Sequence, residues 1–159
     1  MNHSLTPAAS MKSGAGRIAR ILLVSIAVLA LAGMIVSAVS LQRHYAKSAT
    51  SYCEFGEKFN CDIVNRSEYS SLFGIPVAGI GMAGYGLLLV LSTFKRLDDK
   101  TPTRLLLAAG IGLAFALYLT YVEAYVLTTW CILCLTSLAM ISLIAVLAGI
   151  LKVSQPKES

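Results

Sequence analysis

Charged positions divide the chain into four long apolar runs separated by short polar segments. Ile21 to Leu41, "ILLVSIAVLALAGMIVSAVSL", carries no charge over 21 residues, and about 20 apolar residues span a bilayer. The run follows a basic stretch and ends in small residues, as a cleaved signal peptide does. It is longer than the roughly 7–15 apolar residues of such a signal, so it reads as an uncleaved anchor. Gly74 to Phe94, "GIPVAGIGMAGYGLLLVLSTF", is the second run. Pro76 suits the first turn of its helix, where the missing N–H costs nothing, and the glycines permit close helix packing. Leu105 to Val122 and Val126 to Leu151 are the third and fourth. The pattern predicts an all-α membrane protein, a four-transmembrane-helix bundle with spans over residues 18–41, 74–94, 105–126 and 129–151. These form one domain, 18–151, between two cytoplasmic tails, 1–17 (read as disordered) and 152–159. The long polar loop is 42–73.

Composition agrees. The chain is 57% hydrophobic and 13% charged, with a mean hydropathy of +0.74, against roughly 25% charged residues in a soluble domain. The net charge of +5 would suit nucleic acid, but the basic residues gather at the ends of apolar runs and no basic face with interleaved aromatics stands out. Nine of them, Lys12, Arg17, Arg20, Lys95, Arg96, Lys100, Arg104, Lys152 and Lys157, fall on one side of the alternating runs. Arg43, Lys47, Lys58 and Arg66 fall on the other, offset by Glu54, Glu57, Asp62 and Glu68. The positive-inside rule then places both termini in the cytoplasm and loop 42–73 outside.

That topology brings Cys53, Cys61, Cys131 and Cys134 to one membrane surface, on the oxidising side. Cys131 and Cys134 frame "CILC" at the outer end of the fourth run, one helical turn apart on nearly the same face. Thr128 or Thr129 can cap that helix. Cys131 then falls in the first turn, where the helix dipole favours a thiolate. Cys53 and Cys61 enclose "EFGEKFN", a segment with the character of a mobile dithiol loop. Two dithiols at one surface make a relay by thiol–disulfide exchange. Zinc is disfavoured because "CILC" continues into an apolar helix, and haem attachment because Leu135 follows Cys134. Inert disulfides remain open, although a bridge across two residues closes almost no loop.

A relay needs an electron sink. No nicotinamide fingerprint, haem motif or flavin domain is apparent, which leaves a carrier dissolved in the bilayer, and a quinone fits. Tyr118, Tyr121, Tyr125 and Trp130 lie near the cysteine end and read chiefly as an interfacial aromatic belt; Trp130 and Tyr121 are the candidates among them for quinone contact. Glu123 reads as an end-of-helix carboxylate facing water rather than a proton source.

The segment "CEFGEKFNCDIVNRSEYSSLFGIPVAGIGMAGY", followed by "CILC", resembles the vitamin K epoxide reductase family, specifically its stand-alone bacterial members. The resemblance runs from Ile21 to Leu151. It implies a four-helix bundle that holds a quinone, ubiquinone or menaquinone, at its outer end with no metal. A loop helix near Asn65 to Leu72 would cap the bundle. It implies that Cys134 stands nearest the quinone and that Cys131 exchanges with Cys61. Cys53 would face the partner, and Ser67 would match the family's loop serine by the quinone. The implied partner is a periplasmic thioredoxin-like protein of the DsbA type, and the implied place is the bacterial inner membrane. Leu138 stands where animal enzymes carry a tyrosine, and about Ser70 where they carry an asparagine. Both favour a quinone-dependent thiol oxidase over the alternatives, an animal-type epoxide reductase or a structural tetraspan protein.

Overall fold

The computed structural model describes residues 7–45, 58–72, 74–93 and 100–154, with side chains from residue 16 onward. Among the described residues the fold is all-α apart from one hairpin of two-residue strands and an isolated parallel bridge. Five helices follow in order: α1 (Pro7–Tyr45), α2 (Cys61–Asn65), α3 (Val77–Thr93), α4 (Thr101–Val122) and α5 (Ile132–Ser154). A 3₁₀ turn, Glu68–Ser70, and the strands β1 (Ser71–Leu72) and β2 (Ile75–Pro76) connect α2 to α3. Gly74, at φ 81°, turns the hairpin in the left-handed region that glycine enters without steric cost.

Among the described residues three helical segments are long and apolar enough to cross a membrane: Gly16–Tyr45, Thr101–Leu127 and Ile132–Ser154. The fourth apolar helix, α3, has 17 residues; at 1.5 Å per residue it is about 25 Å long, against a hydrocarbon core of about 30 Å.

Helix ends depart from charge boundaries. α1 begins at Pro7, inside the segment expected as a disordered tail, and α4 begins at Thr101 with Pro102 in its first turn. Charges mark where lipid stops, and a helix has no need to stop there. Pro76 closes β2 instead of opening the helix. The loop helix lies at Cys61–Asn65, earlier than expected, because the Asn60 side chain accepts hydrogen bonds from the Asp62 and Ile63 N–H groups at 3.0 and 3.1 Å. That cap satisfies two of the donors a helix start leaves orphaned.

Small residues mark the inward face of α1. Ala19, Ala30, Gly33, Ser37 and Ser40 are buried, while Ile21, Val24, Val28, Leu31 and Ile35 face outward. Lipid is as apolar as the core, so close backbone approach decides which face turns in. A Cβ on Gly33 would collide with the ring of Tyr85 on α3, and one on Gly81 would stand 3.1 Å from Ser37 Oγ. α1 thus packs tightly on α3, while α4 and α5 pair and α5 also lies against α1. The α3–α4 contact is the slighter one. The apolar interior is built around Ile26, Leu88, Leu105, Ile144 and Leu151.

Candidate redox site and cavity

The segment before α2 pairs with the segment before α5. The Trp130 N–H donates to Lys58 O at 2.9 Å, and the Asn60 N–H donates to Trp130 O at 3.2 Å. This short parallel bridge delivers Cys61 beside Cys131. Both are fully buried, and they pack with Val64, Leu127, Leu133 and Cys134. Cys61 is disulfide-bonded, and Cys131 and Cys134 are free thiols. Cys53 lies outside the described residues.

Asn65, the last residue of α2, fastens this arrangement. Its amide donates to Cys61 O at 2.9 Å and reaches Cys131 Sγ at 4.0 Å, while its Oδ1 accepts from Ser40 Oγ on α1 at 3.0 Å. The Asn65 carbonyl accepts from His44 Nδ1 at 2.6 Å, which fixes the proton on that nitrogen. One amide thus ties the loop helix, α1 and the thiol pair together.

The chain between α4 and α5 is a π-helical turn, Glu123–Leu127, ended by Thr128 in the left-handed region at φ 49°. A threonine rarely adopts that conformation. Glu123 holds the turn together. Its carbonyl accepts from the Thr128 and Thr129 N–H groups, and its carboxylate Oε2 accepts from the Cys131 N–H at 3.0 Å. Glu123 is 2% exposed. The expectation that it faces water is therefore wrong: the turn that breaks the helix folds its side chain back toward the cysteines.

Neither threonine caps α5. Thr128 and Thr129 hydroxyls both donate to Leu127 O. Cys131 stands one residue before α5 and is itself the cap: its carbonyl accepts the first helical bond, from the Leu135 N–H at 3.0 Å. Its sulfur accepts from the Cys134 thiol and from the N–H groups of Cys134 and Leu133. The Cys134 hydrogen bond above all, with those two N–H donors, holds the Cys131 thiol below its ordinary pKa. Burial and the Glu123 charge oppose the shift without reversing it.

A cavity of about 660 Å³, lined by residues of α1, α3, α4 and α5, reaches this end of the bundle. Cys134, Ser67, Glu123 and His44 line its polar end, and Val77, Ile80, Ile111 and Phe115 belong to its apolar walls. On its α5 wall the Tyr85 hydroxyl meets Ser137 O and Oγ, both at 2.9 Å, one turn beyond Cys134. An apolar chamber of this size with a few polar groups at one end fits a flat, lipid-soluble ring with an apolar tail. Ser67 donates to Val64 O at 2.8 Å from the cavity wall. Tyr121 and Trp130 do not line it: Tyr121 is exposed against Tyr125, ring centroids 4.8 Å apart, and Trp130 belongs to the bridge with Phe59. Asn65, Asn60 and Tyr85 carry no motif that distinguishes them in the sequence. "NCDI" holds a cap signal at Asn60, though a five-residue helix leaves no periodicity to support it.

No individual curated protein matches the chain. The sequence model of the vitamin K epoxide reductase family matches residues 24–148, a stretch that contains α3, α4 and all four cysteines. The site geometry and the extent of that match agree: the chain belongs to the vitamin K epoxide reductase family.

Proposed function

We propose that this protein is a quinone-dependent thiol oxidase that drives disulfide formation in a separate thioredoxin-like partner. Family membership makes it a membrane oxidoreductase with a quinone-linked thiol redox role; the partner, the cysteine order and the direction are the proposal. Electrons would pass from the partner to Cys53 and Cys61, from Cys61 to Cys131, and from the Cys131–Cys134 pair to a ubiquinone or menaquinone. Each thiol step is an exchange through a mixed disulfide. α3 would serve as a fourth span, both termini would be cytoplasmic, and the cysteines would face the periplasm. The two cytoplasmic tails belong to the same reading.

The observation that carries it is a disulfide-bonded Cys61 packed against two free thiols, one of which lines a large apolar cavity. That juxtaposition joins a protein-facing redox pair to a lipid-facing one. When bound, the quinone supplies a two-electron acceptor. The chain's own part is to place Cys134 at the cavity wall, to hold Ser67 and His44 at its polar end, and to exclude water with the α2 cap. Leu138, in the position of the animal tyrosine, is not among the side chains that line the cavity.

The test is reconstitution with ubiquinone or menaquinone and a reduced thioredoxin-like protein. Thiol loss from the partner should match hydroquinone formation and should stop in Cys131→Ala and Cys134→Ala. Undiminished thiol loss in either variant would sink the relay. Robust vitamin K epoxide turnover with dithiothreitol would favour the animal-type reaction.

A further inference from the structure

We propose that Glu123 is the proton acceptor for Cys134 when the Cys131–Cys134 dithiol is oxidised, and that it hands this proton to the quinone side of the cavity. The proposal rests on the thiol-oxidase reading.

A buried carboxylate is costly unless its oxygens are bonded. Glu123 is 2% exposed; Oε2 accepts from the Cys131 N–H at 3.0 Å, and the Cys134 thiol is the other side-chain group that acts on the carboxylate. Oε1 has no hydrogen-bond partner among the described residues. Holding the turn uses only the Glu123 carbonyl and Oε2, and an uncharged glutamine would do it equally well. The second oxygen therefore calls for a different explanation. A Glu123 carboxylate oxygen and the Cys131 and Cys134 sulfurs all lie within 4.8 Å of one another. Glu123 and Cys134 also line the same cavity. A proton-accepting group thus stands beside the thiols at the chamber wall.

The chemistry requires such an atom. Forming the Cys131–Cys134 disulfide releases two electrons, and reducing a quinone to a hydroquinone takes two electrons and two protons. Cys131 enters as a thiolate, its proton already given to water. Cys134 enters as a thiol. The Cys134 S–H turns from the Cys131 sulfur to Glu123, with which it also hydrogen-bonds; its S–H bond breaks as the proton passes to the carboxylate, the S–S bond forms, and the electron pair leaves for the quinone. Glu123 then gives its proton to the reduced quinone's oxygen, and water supplies the second. Glu123 ends as the carboxylate it began as. The other titratable side chains on this cavity are His44 from α1, Tyr69 from the 3₁₀ turn and Tyr85 from α3. His44 does not belong to the group of three formed by Glu123 and the two thiols; the Tyr85 hydroxyl is engaged with Ser137, and Tyr69 is exposed.

The experiment uses the full chain in membranes, as Glu123→Gln and Glu123→Asp. Glutamine keeps an acceptor for the Cys131 N–H and so keeps the turn. The expected result for Glu123→Gln is a fall in kcat for quinone reduction of about 100-fold or more. The KM for quinone should hold, and the carboxylate limb of the pH profile should disappear. Glu123→Asp should recover part of kcat. A second readout needs no quinone: iodoacetamide should alkylate reduced Cys131 faster in Glu123→Gln, because a negative charge that disfavours the thiolate is gone. A merely structural residue would not make the thiol more reactive and its oxidation slower. The proposal is overturned if kcat in Glu123→Gln stays within about threefold of wild type, since a general base contributes far more. It is equally overturned if kcat falls while the pH profile and the alkylation rate stay as in wild type. A wild-type protein inert toward every quinone would instead overturn the thiol-oxidase reading, and this proposal with it.

Discussion

The half of the bundle around Leu105, Ile144 and Leu151 is held by shape, whereas the half around Cys61 and Cys131 is held by direction. In the first, buried aliphatic side chains from α1, α3, α4 and α5 interlock, and many weak contacts share the stabilisation. In the second, the apolar cluster is small, and position is set by single hydrogen bonds: Trp130 N–H to Lys58 O, Asn65 to Ser40 and Cys61, and Cys131 N–H to Glu123. Packed aliphatics tolerate exchange of one shape for another of equal volume. Sulfur chemistry does not tolerate a misplaced atom, and directional bonds are what fix one. Stability and reactivity should therefore separate along the bundle axis.

Cys134→Ala should separate reactivity from stability most strongly. Quinone reduction should fall on the order of 10³-fold or more, as when a nucleophile is removed. The thermal unfolding midpoint should stay near that of wild type, because Cys134 is only partly buried. A midpoint that falls along with activity would mean that the cysteine end also carries the fold. The mirror experiment is Ile144→Ala in the packed half, where Ile144 is fully buried. Removing such a side chain costs roughly 2–5 kcal/mol. Detergent-solubilised protein should unfold at lower temperature, while turnover per folded molecule is unchanged.

Much of the architecture was legible because bilayer thickness writes itself into the chain as apolar runs of a given length. The cysteine end was legible too, since alternation of runs brings the 42–73 loop to the turn before "CILC". What stayed hidden followed from local geometry. Glu123 sits near the end of an apolar run, where a carboxylate ordinarily meets water. Only a π-helical turn, which has no sequence period of its own, folds it inward. The cap on α5 was sought in Thr128 and Thr129 because hydroxyls are the usual cap. The chain instead places the cap at Cys131, beyond both threonines, and uses that residue's carbonyl and sulfur. Nearness along the sequence does not specify which side of a helix faces outward, as Tyr121 does, nor that Trp130 stands off the helix in the bridge with Phe59.

Asn65→Ala asks whether direction matters apart from the thiols themselves. It keeps both thiols but removes the ties to Ser40, the Cys61 carbonyl and the Cys131 sulfur, together with one side chain of the cavity wall. Unpairing buried polar partners costs about 1–3 kcal/mol. Partner-driven turnover, which requires Cys61 against Cys131, should slow about tenfold, as 1.4 kcal/mol implies. Quinone reduction by a protein pre-reduced at Cys131 and Cys134 should slow much less. Equal losses in both assays would show that Asn65 serves the dithiol rather than the relay.

The smallest effect concerns the proton on Cys131. Its thiol lies below the ordinary pKa chiefly because the Cys134 thiol donates to it, with the Cys134 and Leu133 N–H groups adding to that. Cys134→Ala removes the first donor and leaves the two N–H groups. The Cys131 pKa should therefore rise, and at a pH below the ordinary thiol range Cys131 should alkylate more slowly than in wild type. Cys134→Ser restores an O–H that can donate, so its rate should fall between the two. The sign carries into stability. A depressed pKa contributes stability above the unfolded thiol's pKa and loses it as pH falls through the folded one. Wild type should keep that contribution to lower pH than Cys134→Ala. Mass-spectrometric alkylation rates of Cys131 against pH measure this directly. Superimposable curves for wild type and Cys134→Ala would assign the shift to the start of α5 alone, and direction at this end would then come from the backbone and not from the partner thiol.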